Sequence, residues 1–115
     1  MISRRHRFHG HNSLDFLYRN GKTVRADFLS LRFVKSKSDD YRLSVIVSKK
    51  VSKSAVVRNR IRRRIYEVVR VIKKESNNTW LIDMAITVFD QSIANIDHKE
   101  LDKLIKSLLK KAQII

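Results

Sequence analysis

The chain predicts a single-domain α+β sandwich in the order αβββαβα, with helices packed on a mainly antiparallel sheet. Three observations carry this reading. Apolar residues alternate over 28–34 and 41–48, recur at helical spacing over 55–74 and 101–112, and run almost unbroken over 80–89. At 115 residues and 43% hydrophobic content, the chain is long enough to bury one core. No proline, repeat or low-complexity linker divides it, and Gly10 and Gly21 are its only glycines.

Each element follows from its own pattern. Residues 12–20, NSLDFLYRN, read as a short helix capped by Asn12 or Ser13, with Leu14, Leu17 and Tyr18 along one side. Gly21 supplies a left-handed stop. A short strand around Lys22–Arg25 is weakly signalled. In FLSLRFV, 28–34, Leu29, Leu31 and Phe33 point to the core, leaving Phe28, Ser30 and Arg32 on an available face. After the polar turn 36–40, YRLSVIVS forms the second strand of a hairpin with it. WLIDMAITVF, 80–89, is apolar on nearly both faces, as a central strand is, and Trp80 belongs to the core. Asp97 and Glu100 stand in the capping-box relation before a last helix, whose Leu101, Leu104, Ile105, Leu108, Leu109 and Ala112 form its apolar stripe.

Charge is the most informative quantity. Lys and Arg number 26 against 11 Asp and Glu, a net +15. Residues 49–74 hold eleven basic residues and one acid, Glu67, so two thirds of the excess sits in under a quarter of the chain. Such self-repulsion points to an anionic partner, nucleic acid before an acidic protein or a membrane. No apolar run reaches signal-peptide or membrane-spanning length, and there are no cysteines, so a cytoplasmic, reducing setting is expected.

The basic stretch 55–74 is amphipathic. With Val57 at 0°, Ile61, Ile65, Val68 and Ile72 fall between roughly 20° and 80°, a core-facing stripe. Asn59, Arg62, Arg63, Tyr66, Arg70, Lys73 and Lys74 lie opposite, Arg58 and Arg60 border the stripe, and Arg64 falls at its edge. Most charge runs are solvated faces, but a solvated helix interleaves acids for i,i+4 pairing, and here Glu67 stands alone. Across 58–64 every basic residue is arginine, whose planar fork matches phosphate bidentately. Neutralising about six phosphates would give a salt slope of roughly −5, about three decades of affinity between 50 and 200 mM salt.

SKKVSKSAVVRNRIRRRIYE, 48–67, resembles the signature of the bacterial ribonuclease P protein component, with Ser48-Lys49-Lys50 leading to Arg58-Asn59-Arg60. The resemblance covers most of the chain. It implies a left-handed βαβ crossover around the basic helix. It also implies a subunit of the ribonucleoprotein that removes the 5′ leader of precursor tRNA and broadens its substrate range, while the RNA hydrolyses with bound Mg²⁺. By that resemblance Lys49, Lys50, Lys53, Arg58, Asn59, Arg60, Arg62 and Arg63 face the catalytic RNA. Leu14 and Tyr18, with Phe28, Ser30 and Arg32, form the leader cleft. That choice counts back from Gly21; counting from Asp15-Phe16 selects Phe16 instead. The chain departs from the family in the glycine-free loop Val51-Ser52-Lys53-Ser54, in Tyr66 where a basic residue is common, and in Leu14 where an aromatic is usual.

No catalytic residues and no metal or cofactor bound by the protein itself are expected, because the carboxylates are scattered and His6, His9 and His11 stand in a basic terminus without one. The expected partners are the catalytic RNA and the precursor leader, with no membrane and no obligate protein partner. A structural RNA-binding protein is the rival reading; DNA binding is weaker, because no helix-turn-helix spacing appears.

Overall fold

The apolar segment 82–88 takes an inner place in the sheet. The computed structural model describes residues 11–36, 40–76 and 78–115, with side chains from residue 14 onward. Its elements are α1 (His11–Asn20), β1 (Lys22–Ala26), β2 (Leu29–Lys35), β3 (Arg42–Ile46), α2 (Ala55–Ser76), β4 (Ile82–Val88), a 3-10 turn (Gln91–Ala94) and α3 (His98–Lys111). The strands lie in the order β1-β2-β4-β3. β1 pairs with β2 and β2 with β4 antiparallel, whereas β3 and β4 run parallel, joined by α2.

This order corrects the expected pairing of 28–34 with 41–48. The hairpin is β1–β2, and β4 inserts between β2 and β3. Asp83, Met84, Ala85 and Ile86 are all buried, so β4 needs a neighbour on each side and cover on both faces. β3, fully buried only at Leu43 and Val45, can serve as an edge. Asp83, polar in mid-strand, is explained by Arg42 beside it, which donates Nε and Nη2 to the two carboxylate oxygens at 2.8 and 2.7 Å.

Helices cover both faces. Leu29, Leu31, Leu43, Val45, Met84 and Ile86 pack against Ile61, Ile65, Val68 and Val69 of α2 and Leu101, Ile105, Leu108 and Leu109 of α3. On the other face Leu17 of α1, 0% exposed, sits on Ala85, with Leu14, Val34 and Ile46 around it. Trp80 is buried against Tyr41, ring centroids 5.6 Å apart. Asp97 occupies the N-cap of α3 without a side-chain hydrogen bond, so the expected capping box does not form. The caps expected at Asn12 or Ser13, and His6, His9 and His11, lie outside the described side chains.

Gly21 is needed for a reason other than the expected one, since it has no positive φ. Its N–H donates to Leu17 O at 2.8 Å, closing α1, and the chain turns there between two backbones with no room for a Cβ.

Burial, reinforced by the Asp40 charge, pushes the Tyr41 phenol up to about 12. A raised folded-state value means that this contribution to stability is whole below pH ~10 and fades as pH rises through about 12, a total of about 3 kcal/mol. Denaturant titrations between pH 9 and 12 should show that loss, and Tyr41→Phe should flatten it.

Candidate nucleic-acid interface

The approach to α2 is built by serines. Ser48 O accepts from Val51 N at 3.1 Å and Ser52 N at 3.4 Å; Ser52 Oγ accepts from Ser54 N at 3.2 Å. Ser54 then caps α2, its Oγ accepting from Val57 N at 3.3 Å. No residue of this loop has a positive φ, so its lack of glycine costs nothing. Lys49, Lys50 and Lys53 are exposed along it.

The arginines that follow are held by neutral oxygens. Arg58 Nη1 donates to Ser52 O at 2.9 Å and Arg60 Nε to Ala94 O at 2.7 Å. Arg62 donates to Asn59 Oδ1 at 2.9 Å and Val47 O at 3.3 Å. Arg63 is exposed and, among the described residues, bonds to nothing. Carbonyl oxygens orient a guanidinium without cancelling its charge, so this end of α2 keeps its full positive field. The acid of α2 nearest to these arginines, Glu67, is engaged one turn further on by Arg70. Asn59 keeps its amide N–H groups for a partner, its oxygen being taken by Arg62.

Arg64, at the edge of the stripe, forms no ion pair with a carboxylate among the described residues. It donates to Ile93 O at 2.7 Å and Ile96 O at 2.6 Å, tying α2 to the 3-10 turn. Burial, then the neighbouring Arg60 charge, push its guanidinium below the ordinary range, against a lift from Asp97. Tyr66 also departs from its outward assignment. Its hydroxyl accepts from Val45 N at 3.3 Å and donates to Leu43 O at 3.4 Å, covering the free edge of β3. The face opposite the apolar stripe therefore leans on the sheet edge at Tyr66, with exposed residues on either side of it, Asn59 and Arg63 before and Arg70 and Lys74 after.

A second surface lies where α1 crosses the sheet. Leu14 is half-buried in the small core beneath α1, while Tyr18 is 45% exposed. Arg32 stands over the Tyr18 ring at 6.0 Å and bonds to Leu17 O at 3.2 Å, Tyr18 O and Thr23 Oγ1 at 2.6 Å. It thus clamps the C-terminus of α1, where a cation is favoured. Ser30 is buried, so the strand face expected to be free is largely covered. Phe28 is not on this surface. It precedes β2 with φ 64°, which breaks the alternation, and its ring lies beside Ile96 and Leu104 on the α3 side.

Phe16, selected by the other register, is 54% exposed on α1. Two further residues escaped sequence reasoning. Phe89, 55% exposed, continues the Ala85-Thr87 face, and the Arg25 guanidinium stands 5.9 Å over its ring. Strand parity carried from Ala85 through Thr87 would have found Phe89. Among the described residues no three His, Cys, Asp or Glu side chains are grouped to hold a metal ion, and no helix is long and apolar enough to cross a membrane.

Comparison with known proteins gives one answer. The family model for ribonuclease P matches residues 2–113. A ribonuclease P protein component of Prochlorococcus marinus is 32% identical, covering 86% of this chain and 90% of the relative. That of Clostridioides difficile is 36% identical, covering 85% and 83%. The solved structure of Staphylococcus aureus RNase P protein superposes with a TM-score of 0.78 at 25% identity, covering 93% of this chain and 94% of that one. The Thermotoga maritima protein, at 20% identity, shares the fold with a TM-score of 0.78 over 91% and 96%.

Proposed function

The chain belongs to the bacterial ribonuclease P protein family, the protein subunit of the ribonucleoprotein that processes tRNA at its 5′ end, and from that premise we propose how its surfaces divide the work. The chain works as one RNA-binding unit, in the cytoplasm. Its partner is the ribonuclease P RNA. The arginine end of α2, with Lys49, Lys50 and Lys53, grips that RNA. Arg58, Arg60, Arg62 and Arg63 supply phosphate contacts, and Asn59 donates to a base edge or sugar hydroxyl.

The α1 side of the sheet receives the precursor leader, with Tyr18 as a stacking surface and Arg32 holding α1 in place. Phe16 and the Arg25–Phe89 pair extend that surface at its borders. Exposed aromatics beside cations suit single-stranded RNA, because every base has a face to stack. Ser30 and Leu14 support this surface from beneath. Bond cleavage belongs to the RNA, with Mg²⁺ held there. The observation that carries the reading is the set of guanidiniums tied to carbonyl oxygens, which aims positive charge outward without neutralising it.

Cleavage of precursor tRNA by the large RNA at low Mg²⁺, with and without this protein, tests it. The protein should raise kcat/KM at least about tenfold, equivalent to roughly 1.4 kcal/mol of added transition-state binding. No gain would leave a structural RNA-binding role, and cleavage by the protein alone would overturn the division of labour.

A further inference from the structure

The outer face of α3 belongs to neither of those surfaces. Lys99, Lys103, Lys106 and Lys110 recur at i, i+4, i+7 and i+11, on the side opposite Leu101, Ile105 and Leu108, which face the core. At about 1.5 Å per residue the row spans roughly 16 Å. Lys103, Lys106 and Lys110 converge with Lys111 on a shallow depression floored by Ser107. Lys106 is shared with Asp102 at 2.9 Å; Lys99, Lys103 and Lys110 are exposed.

The row runs into an apolar hollow of about 290 Å³ that shares Lys103 with it. Phe28, 48% exposed, makes one wall, and Ile96 and Leu104 line the rest. Phe28 has φ 64°, a backbone region unfavourable for a bulky side chain. It is this conformation that turns the ring out of the strand alternation and into the hollow. Asp27 and Glu100 stand at the rim as hydrogen-bond acceptors.

We propose that the α3 lysine row and the Phe28 hollow form a second site for single-stranded RNA, separate from the arginine face and the α1 surface. One unpaired base enters the hollow and stacks on Phe28, while the phosphates on its strand follow Lys103, Lys106 and Lys110. Lysine, a point charge on a flexible stem, suits backbone tracking without sequence choice, and an aromatic wall suits any base. The rim carboxylates accept from an exocyclic amino group, as of cytosine. A duplex cannot supply the inserted base. This site adds to the leader and catalytic-RNA contacts and does not depend on them.

Fluorescence anisotropy of labelled octacytidylate tests it, with the full chain carrying Arg58→Ala, Arg60→Ala, Phe16→Ala and Tyr18→Ala so that the arginine face and the α1 surface contribute little. Phe28→Gly, which removes the ring and suits the positive φ, should weaken octamer binding about tenfold. Lys106→Gln with Lys110→Gln should weaken it further and flatten the salt slope by about 1.4. An eight-base-pair RNA duplex should be insensitive to Phe28→Gly. Octamer affinity unchanged by Phe28→Gly, or an equal loss for the duplex, would overturn the base-binding hollow. A salt slope unmoved by the lysine changes would overturn the phosphate track, and equal competition by an octaglutamate peptide would assign the surface to acidic proteins instead. Failure of the arginine-face reading is read separately, from the unmutated chain against Arg58→Ala/Arg60→Ala on the catalytic RNA.

Discussion

Replacing Arg58 and Arg60 together by alanine should lower affinity for the catalytic RNA about a hundredfold and flatten its salt slope by about 1.5. The size follows from two charged hydrogen-bonding contacts at roughly 1.5 kcal/mol each and two fewer phosphates neutralised. The fold should survive, as the apolar side of α2 is untouched. It should not survive unchanged, because Arg60 also holds Ala94 O and Arg58 holds Ser52 O. A stability loss of about 1–2 kcal/mol is expected by urea denaturation. Arg63→Ala separates the two effects. That side chain holds nothing in the described chain, so affinity should fall about tenfold with stability constant. Filter binding across a salt series, with circular dichroism alongside, reads both. Unchanged affinity in the double variant would remove this face from the interface.

Gly21→Ala should be the most damaging single methyl in the protein. A Cβ there would lie 2.5 Å from Leu17 O and 2.9 Å from Phe33 O, with Arg32 Cγ at 3.2 Å. The first two are backbone atoms of α1 and β2, so neither can swing aside as a side chain would. Relief requires α1 to lift from the sheet, which exposes Leu17 and breaks the Arg32 clamp. The cost should be about 3 kcal/mol, or roughly 15 °C in Tm for a domain of this size. Leader binding should fail with it, while the arginine face, on the other side of the sheet, keeps its affinity for the catalytic RNA. A Tm within about 2 °C of the unmutated chain would show that the backbone there has room to give.

The sequence by itself determined which segments are helices and strands, which side of each is apolar, and where the positive charge collects. These are properties of spacing within one segment, and Ile61, Ile65, Val68 and Ile72 declare a buried stripe whatever lies beneath them. The arginine motif was legible for the same reason, being a local pattern joined to a family signature. Tertiary structure decided the rest. Whether β3 pairs with β2 or β4 depends on which strand competes best for the centre, and alternation within β3 is the same either way. Arg60 and Arg64 find carbonyl oxygens about thirty residues away, and every residue carries a carbonyl, so composition leaves no mark of the chosen ones. Tyr66 sits at an outward angle on α2, yet a strand edge happens to pass there. Phe28 belongs to the right parity for the α1 face, but one positive φ sends its ring to the opposite side of the sheet. Local periodicity encodes the elements; long-range contact between backbones decides which surfaces they leave exposed.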